Sequence, residues 1–235
     1  MPGHPGYRTR QQQVSIRGTG DLLIRSLLDH HQFADPLGEA AALDISSAAW
    51  PLFGLLWPSA VQLAACMAAR PLVAHERILE VGCGLALASL VSHRRGADVT
   101  ASDCHPLAPA FLLHNIALNA LQPLSYRHGH WSAALDAPAH ALRPIVQGRF
   151  DLIIGSDVLY ERDEPGHLSN FIQRHARPTA EVLIVEPDRG NRPTFNRRMA
   201  ALGFALVETR LADDANYRGR LLRYRRRDTV AGYRP

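Results

Sequence analysis

The sequence predicts a doubly wound α/β domain with a mostly parallel sheet that closes in an antiparallel hairpin. Short apolar runs without polar alternation recur along the chain, as in strands that are buried on both faces. Segments with helical spacing separate most of these runs, and this alternation is typical of a parallel sheet with crossover helices. The last two runs, residues 204–209 and 221–225, predict a closing antiparallel pair. The seven predicted strands cover residues 78–81, 98–101, 126–128, 150–155, 182–185, 204–209 and 221–225.

The length and composition fit one large domain. The chain has 235 residues, of which 46% are hydrophobic and 20% charged, and its formal net charge is a modest +4. These values are those of an ordinary globular protein with a sizeable core. We expect an N-terminal extension over residues 1–48, one domain over residues 49–227 and a C-terminal tail over residues 228–235.

Cysteine usage and hydropathy predict the compartment. Cys66, Cys83 and Cys104 show no C-x-x-C or zinc-finger spacing, which favours reduced thiols in a cytosol. The N-terminus lacks a signal-peptide pattern, and no run of about 18 apolar residues is present to cross a membrane. We therefore expect a soluble, cytoplasmic monomer with no membrane partner.

The N-terminal part of the chain is polar and then becomes apolar. Residues 1–13 carry Pro and Gly and predict a loose tail, and residues 14–16 and 22–24 predict a small hairpin. A helix is predicted to begin at Trp57, because the proline that follows suits a first helical turn. We interpret this helix as packing across the sheet, although Trp50 and Trp57 also offer flat apolar walls for a ligand.

The segment Arg77 to Leu90, R-I-L-E-V-G-C-G-L-A-L-A-S-L, predicts a strand, a glycine turn and a helix in succession. Gly82 and Gly84 allow the backbone to bend sharply and a ligand to approach closely. This arrangement is typical of a site for the polar part of a nucleotide-like ligand.

A carboxylate follows at the end of the next predicted strand. Asp103 lies 19 residues beyond Gly84, which is the position from which a carboxylate holds a ribose diol. In the helix predicted after it, Asn115 and Asn119 are one turn apart and share a face.

Two further groups of side chains suggest binding hypotheses. The chain ends in a basic cluster that we interpret as a solvated strand face, with an acidic partner or RNA as the alternative. Its members are Arg218, Arg220, Arg223, Arg225, Arg226 and Arg227. Histidines recur as His30-His31 and at His128 and His130, but none has a Cys or carboxylate at metal-ligand spacing, so no metal is predicted.

The motifs together resemble class I S-adenosylmethionine-dependent methyltransferases, and more narrowly the protein-lysine methyltransferase family 16 group. The resemblance spans residues 50 to 225 and implies a Rossmann-like, seven-stranded sheet with S-adenosyl-L-methionine as cofactor. One departure is Ala86, which replaces the third glycine of the usual G-x-G-x-G. The matching segments are L-W-P-S (56–59), L-E-V-G-C-G-L (79–85), V-T-A-S-D (99–103), H-N-I-A-L-N (114–119), F-D-L-I-I-G-S-D-V-L-Y (150–160) and E-P-D-R (186–189).

The resemblance implies a role for each matched residue. The cofactor-binding set is Trp57, Glu80, Gly82, Gly84, Asp103, Trp131 and Ser156. Within it, Asp103 would bind the ribose hydroxyls and Trp131 would border the adenine. Asp157 and Tyr160 would be catalytic, since the D-x-x-Y motif borders the methyl-transfer pocket in this family. The alternative for Tyr160 is a half-buried loop aromatic.

The leading hypothesis is an N-methyltransferase that acts on a lysine side chain of another protein. The alternatives are a small-molecule N-methyltransferase, a nicotinamide-dependent oxidoreductase and a pseudoenzyme that binds without catalysis. Against the oxidoreductase, Leu87 stands where G-x-G-x-x-G requires its last glycine, and the chain has no lysine for a Tyr-x-x-x-Lys pair. Methylation of an RNA base is not expected, because residues 157–160 read D-V-L-Y and not N/D-P-P-Y/F.

Overall fold

The computed structural model describes residues 6–135, 144–160, 162–163, 165–188, 190–212 and 217–226. It contains a two-stranded sheet near the N-terminus and a seven-stranded sheet. The strands are Thr9–Val14 (β1), Leu22–Leu27 (β2), Arg77–Val81 (β3), Asp98–Asp103 (β4), Ser125–His128 (β5), Phe150–Ser156 (β6), Ala176–Pro187 (β7), Phe204–Ala212 (β8) and Arg218–Arg226 (β9). The helices are Pro58–Ala69 (α1), Leu87–Arg94 (α2), Ala108–Leu118 (α3), His167–His175 (α4) and Arg192–Ala201 (α5), with short 3-10 helices at Ala41–Leu43 and Trp50–Gly54.

The large sheet confirms the predicted fold class. Its strand order is β5-β4-β3-β6-β7-β9-β8. The first five of these strands are parallel, whereas β9 is antiparallel to both β7 and β8. The carboxyl ends of β3, β4, β5 and β6 therefore meet at one edge, where open α/β sheets bind their ligands.

Helices cover both faces of the large sheet. One apolar layer joins α1, α2 and α3 to the sheet, and the other joins α4 and α5 to the opposite face. Side chains of β3 alternate between the two layers: Ile78 enters the first and Leu79 the second. Burial on both faces explains why these strands read as continuous apolar runs.

The small sheet corrects one prediction and extends another. A hairpin is present as predicted, but its first strand covers Thr9–Val14 and not residues 14–16, so the loose tail predicted for residues 1–13 is wrong from Thr9 onward. Val14, Leu22 and Ile24 are buried in the same apolar layer as α1, α2 and α3. Glutamines form half of β1, and only Val14 of the strand is buried, so this polar strand resembles a tail in sequence.

The predicted shared face of Asn115 and Asn119 holds the hairpin against α3. Asn119 Oδ1 accepts a hydrogen bond from Leu23 N at 2.9 Å, and its Nδ2 donates to Leu23 O at 2.8 Å. Asn115 Oδ1 accepts from Arg25 N at 2.8 Å. The two amides therefore satisfy backbone groups along one edge of β2, which would otherwise lie unpaired.

The bounds of β7 differ from expectation, whereas the start of α1 agrees with it. β7 runs from Ala176 to Pro187 and not only over residues 182–185, because it continues directly from the end of α4. Trp57 is the N-cap residue of α1 and the proline after it is the first helical residue, which confirms the predicted helix start. In the described part of the chain, no helix is long and apolar enough to span a bilayer.

Candidate active site

The glycine turn between β3 and α2 forms a cradle of backbone. Gly82 and Gly84 adopt left-handed conformations, with φ of +57° and +52°. A Cβ on Gly84 would lie 2.8 Å from the carbonyl oxygen of Phe53, so the 3-10 helix that contains Phe53 approaches the turn as closely as glycine allows. Ala86 also has a positive φ, of +60°, which shows that alanine occupies the third glycine position at some conformational cost.

We expect Gly84→Ala to lower the free energy of unfolding by about 2–4 kcal/mol, from left-handed strain and from the contact with Phe53 O. Gly38→Ala is a matched control, because Gly38 has a φ of +68° but nothing within 4 Å of the added Cβ. The control should lose only the strain, about 1 kcal/mol. Urea unfolding of both variants measures the difference. Equal losses in the two variants would show that the contact with Phe53 O does not affect the free energy of unfolding.

Glu80 is a buried carboxylate on β3 that caps α2. Its Oε2 accepts hydrogen bonds from Ser89 N at 2.8 Å and from Ser89 Oγ at 2.5 Å. Ala86 occupies the N-cap position, where an alanine side chain cannot accept a hydrogen bond. Glu80 thus supplies from a distance the acceptor that the N-cap lacks. Burial raises the pKa of Glu80 to about 7, with the negative charge of Asp103 adding to the effect.

We expect stability to depend on pH through Glu80. Its pKa is higher in the folded protein, about 7, than its ordinary value of 4.5, so between these values the folded state holds a proton that the unfolded chain releases. The resulting stabilisation is complete below pH 4.5 and is lost as the pH rises through 7. Glu80→Gln is neutral at every pH, so it should resemble the wild type near pH 5 and exceed it at pH 8 by on the order of 3 kcal/mol. Urea unfolding at both pH values tests this, and an equal difference at both would contradict it.

Asp103 ends β4 beside the glycine turn. Its Oδ2 accepts a hydrogen bond from Gly84 N and its Oδ1 one from His105 N, both at 2.8 Å. The carboxylate is 7% exposed, and burial raises its pKa although these backbone donors act in the opposite direction. Strand, turn and carboxylate are therefore locked together, with the carboxylate pointing at the turn.

A cluster of aromatic rings packs beside Asp103 and the glycine turn. His105 stacks on Phe53 at a centroid distance of 3.7 Å, and Trp50 meets His105 edge-on at 5.5 Å. Burial lowers the pKa of His105 to about 3, so the ring is neutral. Trp50 is 1% exposed and belongs to this core, which corrects the alternative that it lines a ligand pocket.

The loop after β5 brings Trp131 to the glycine turn. Its ring atom Cζ2 would lie 3.2 Å from a Cβ on Gly82. The loop is fixed by His130, whose Nδ1 accepts a hydrogen bond from Ser132 N at 3.2 Å and whose Nε2 lies 3.3 Å from Leu43 O. Trp131 is half-buried and packs against the apolar layer of α4 and α5.

The end of β6 presents the D-V-L-Y segment. Asp157 is half-buried and adopts a left-handed conformation with φ of +54°, and its N–H donates to Val185 O at 2.8 Å. Backbone strain of this kind in a non-glycine residue is concentrated at functional sites. Val158 Cγ1 would lie 3.0 Å from a Cβ on Gly82, so this segment adjoins the glycine turn directly. Tyr160 is 40% exposed.

Trp57, Ser156 and the E-P-D-R segment are the remaining residues that the sequence singled out. The indole N–H of Trp57 donates to Leu52 O at 2.8 Å and closes the 3-10 helix before α1. Ser156 is half-buried at the end of β6, one residue before the strained aspartate. Glu186 is fully buried, whereas Asp188 is exposed and contacts Arg192 and Arg220. Arg189 of the E-P-D-R segment lies outside the described residues.

The basic cluster is largely balanced by carboxylates. Arg223 and Arg225 both lie 3.2 Å from Glu181, and Arg220 lies 3.3 Å from Glu208. These contacts favour the solvated strand face over a nucleic-acid surface. Arg227 lies outside the described residues.

The cleft thus gathers residues from four segments that are distant in sequence. Gly82, Gly84, Asp103, Trp131 and the D-V-L-Y segment meet at the carboxyl edge of the sheet. The sequence analysis missed Phe53 and His105, which contact the glycine turn and the carboxylate of Asp103. For His105 the available signal was its place two residues after Asp103, whereas nothing near Phe53 in sequence marked it.

The charges of the cleft suit a cationic ligand better than a diphosphate. Two buried carboxylates, Glu80 and Asp103, lie at the turn, and the N-terminus of α2 is already bonded to the first of them. A diphosphate at this turn would face both carboxylates without the free helix end that dinucleotide folds provide. A sulfonium is attracted by the same charges, and a ribose offers two hydroxyl donors to Asp103. The residues present therefore fit S-adenosyl-L-methionine.

Comparison with known families agrees with this chemistry. The model of a family described as lysine methyltransferase matches residues 52–199, which is more than half of the chain. The chain belongs to this lysine methyltransferase family. This match confirms the resemblance of its motifs to S-adenosylmethionine-dependent methyltransferases.

Individual relatives of the chain are distant in sequence. The mouse (Mus musculus) electron transfer flavoprotein beta subunit lysine methyltransferase is 25% identical over 142 residues, which are 59% of this chain and 51% of that protein. The chain thus matches about half the length of this curated relative. The fold resembles ribosomal protein L11 methylase from Lactobacillus delbrueckii subsp. bulgaricus, with a TM-score of 0.54, 21% identity and coverage of 72% and 79% of the two chains. It also resembles magnesium protoporphyrin IX methyltransferase from Synechocystis PCC 6803 with bound SAM, with a TM-score of 0.54, 16% identity and coverage of 72% and 78%.

Proposed function

We propose that this methyltransferase transfers a methyl group to the side-chain nitrogen of a lysine in another protein. The observation that carries the proposal is the contact between the D-V-L-Y segment and the glycine turn, where Val158 packs against Gly82. This contact supports a site in which Asp157 and Tyr160 would lie beside the methyl donor. The mouse relative, named as a lysine methyltransferase of a protein subunit, supports a protein substrate.

The cofactor would be held by residues of the cleft. Asp103 would accept hydrogen bonds from the ribose hydroxyls, Trp131 would border the adenine, and Ser156 would lie near the methionine end. Gly82 and Gly84 have no side chains and so leave room for the ligand against the backbone. Glu80 would hold the glycine turn to α2 through its hydrogen bonds to Ser89. Trp57 would complete the cofactor site from the start of α1. When bound, S-adenosyl-L-methionine supplies an electrophilic methyl group on a sulfonium.

The chain's own contribution on the acceptor side is to prepare an amine. A lysine nitrogen attacks only when neutral, and a partly apolar site lowers the pKa of its ammonium by desolvation. Asp157 is half-buried and can accept a proton or hydrogen bond from the amine, and Tyr160 can orient it through its hydroxyl group. Positioning the nitrogen in line with the transferred group provides most of the remaining acceleration.

The decisive experiment is transfer of radiolabel from labelled S-adenosyl-L-methionine to a whole lysate, followed by mass spectrometry of labelled proteins. We expect label on lysine side chains of one or a few proteins. Label that appears only in small metabolites would favour a small-molecule N-methyltransferase. Binding of S-adenosylhomocysteine without any transfer would favour a pseudoenzyme, and binding of NAD in its place would favour an oxidoreductase. We further propose that the protein acts as a monomer in the cytoplasm, which size-exclusion chromatography and cell fractionation test.

A further inference from the structure

The D-V-L-Y segment, residues 157–160, is here called the catalytic segment. It is held by Asn191, which lies outside both this motif and the glycine turn. Asn191 Nδ2, at the start of α5, donates a hydrogen bond to Leu159 O at 2.9 Å. This carbonyl belongs to the peptide unit that Leu159 shares with Tyr160. The bond therefore fixes the backbone rotation that aims the Tyr160 side chain.

The position of Asn191 makes this use of its side chain unusual. Asn191 is the N-cap residue of α5, where an asparagine normally accepts a hydrogen bond from the first helical turn. Within the described chain, its side chain makes no such cap bond. The helix forgoes this stabilisation, and the amide is directed at the catalytic segment across 32 residues of sequence.

A second bond from the same helix fixes the far end of the segment. Arg198 Nη1 donates to Asp163 O, while the Asp163 carboxylate accepts from His167 N at 2.7 Å and from Leu168 N at 2.9 Å and so caps α4. The segment after β6 is thus attached at two carbonyls to one side of α5.

Helix α5 is itself anchored to the C-terminal hairpin. Tyr224 is fully buried on β9, and its hydroxyl donates to Asn196 Oδ1 at 2.6 Å. The ring of Tyr224 meets Phe195 edge-on at 5.6 Å, and Asn196 Nδ2 donates to Glu208 Oε1 on β8 at 3.0 Å. The antiparallel hairpin thereby provides a rigid base from which α5 reaches the cleft.

We propose that Asn191 is a positioning residue for the methyl acceptor: it orients Tyr160 through the Leu159 carbonyl without touching the substrate. This inference rests on the proposed function, because it assigns the acceptor site to the same D-V-L-Y segment. It differs from a capping role, because the Asn191 side chain makes no cap hydrogen bond to α5 and donates to Leu159 O.

The test is Asn191→Asp, which keeps the size of the side chain and suits an N-cap, but removes the amide donor and sets a carboxylate against a carbonyl. We expect an unchanged or higher Tm, S-adenosylhomocysteine affinity within about twofold of wild type, and a kcat lowered at least about tenfold with little change in KM for the cofactor. Amide hydrogen exchange at Leu159 and Tyr160 should accelerate in the S-adenosylhomocysteine complex. Asn170→Asp is the matched control, because Asn170 is an exposed asparagine on α4.

The outcomes distinguish a failure of the proposed role of Asn191 from a failure of the proposed function. If the wild type transfers no label to any protein, the proposed function fails, while the exchange rates at Leu159 and Tyr160 still decide whether Asn191 holds the segment. Wild-type exchange and wild-type kcat in Asn191→Asp would overturn the inference. A lowered Tm together with lost cofactor affinity would also overturn it, because that pattern indicates a structural role.

Discussion

Asp103→Asn is expected to weaken S-adenosylhomocysteine binding by about 100-fold. The carboxylate can accept both ribose hydroxyls in charge-assisted hydrogen bonds, and such bonds to a charged group contribute about 1.5–3 kcal/mol each. A 100-fold loss corresponds to about 2.7 kcal/mol, so it represents the loss of one such bond or the weakening of two. An asparagine also turns an amide group toward the N–H of Gly84 or His105, both of which now donate to the carboxylate.

The control for this variant lies on the same strand. Asp98→Asn makes the same chemical change at the opposite, exposed end of β4, away from the cleft. Isothermal titration calorimetry of both variants with S-adenosylhomocysteine should show a loss for Asp103→Asn alone. Wild-type affinity in Asp103→Asn would contradict the assignment of Asp103 to the ribose site. The same loss of affinity in both variants would indicate a general effect on β4.

The sequence was sufficient for the parts of the fold that depend on local pattern. Apolar runs marked the strands of the large sheet because both faces of those strands are buried, and the closing hairpin followed from the missing helix between β8 and β9. The N-terminal strand was predicted at residues 14–16 and lies at Thr9–Val14, because most of it is polar and only Val14 is buried, so the apolar pattern does not mark it. Asn115 and Asn119 were placed on one face from their spacing, but the strand edge that they bond is about 90 residues away.

The same distinction applies to the site. Glycine conformation and the end of a strand are local properties, and they were enough to single out Gly82, Gly84 and Asp103. Support from a distance was not predictable: Phe53 meets the turn from another segment, and Asn191 reaches Leu159 from α5. Glu80 was assigned to the cofactor loop by resemblance, and the structure shows its physical task, which is to cap α2 through Ser89.

Asp157→Asn is expected to lower kcat by about 100-fold while leaving S-adenosylhomocysteine affinity within about threefold. The loss follows from removal of the group that accepts a proton or hydrogen bond from the acceptor amine, since such groups contribute roughly 10²–10⁴-fold. Asparagine is the appropriate substitution because Asp157 has a φ of +54°, and asparagine tolerates the left-handed region as well as aspartate does. The backbone strain is therefore unchanged, and a loss of activity reports on the carboxylate.

Asp44→Asn provides the matched control, because Asp44 is exposed, lies outside the cleft and has nearly the same backbone conformation, with a φ of +57°. It should retain wild-type turnover in the radiolabel assay. The division between kcat and affinity in Asp157→Asn then assigns the carboxylate to one side of the reaction. A lost affinity with wild-type kcat at saturating cofactor would make Asp157 a ligand of the methionine end and leave Tyr160 alone on the acceptor side. A lost kcat with intact affinity places Asp157 beside the amine, where a carboxylate that accepts its proton is needed before the nitrogen can attack.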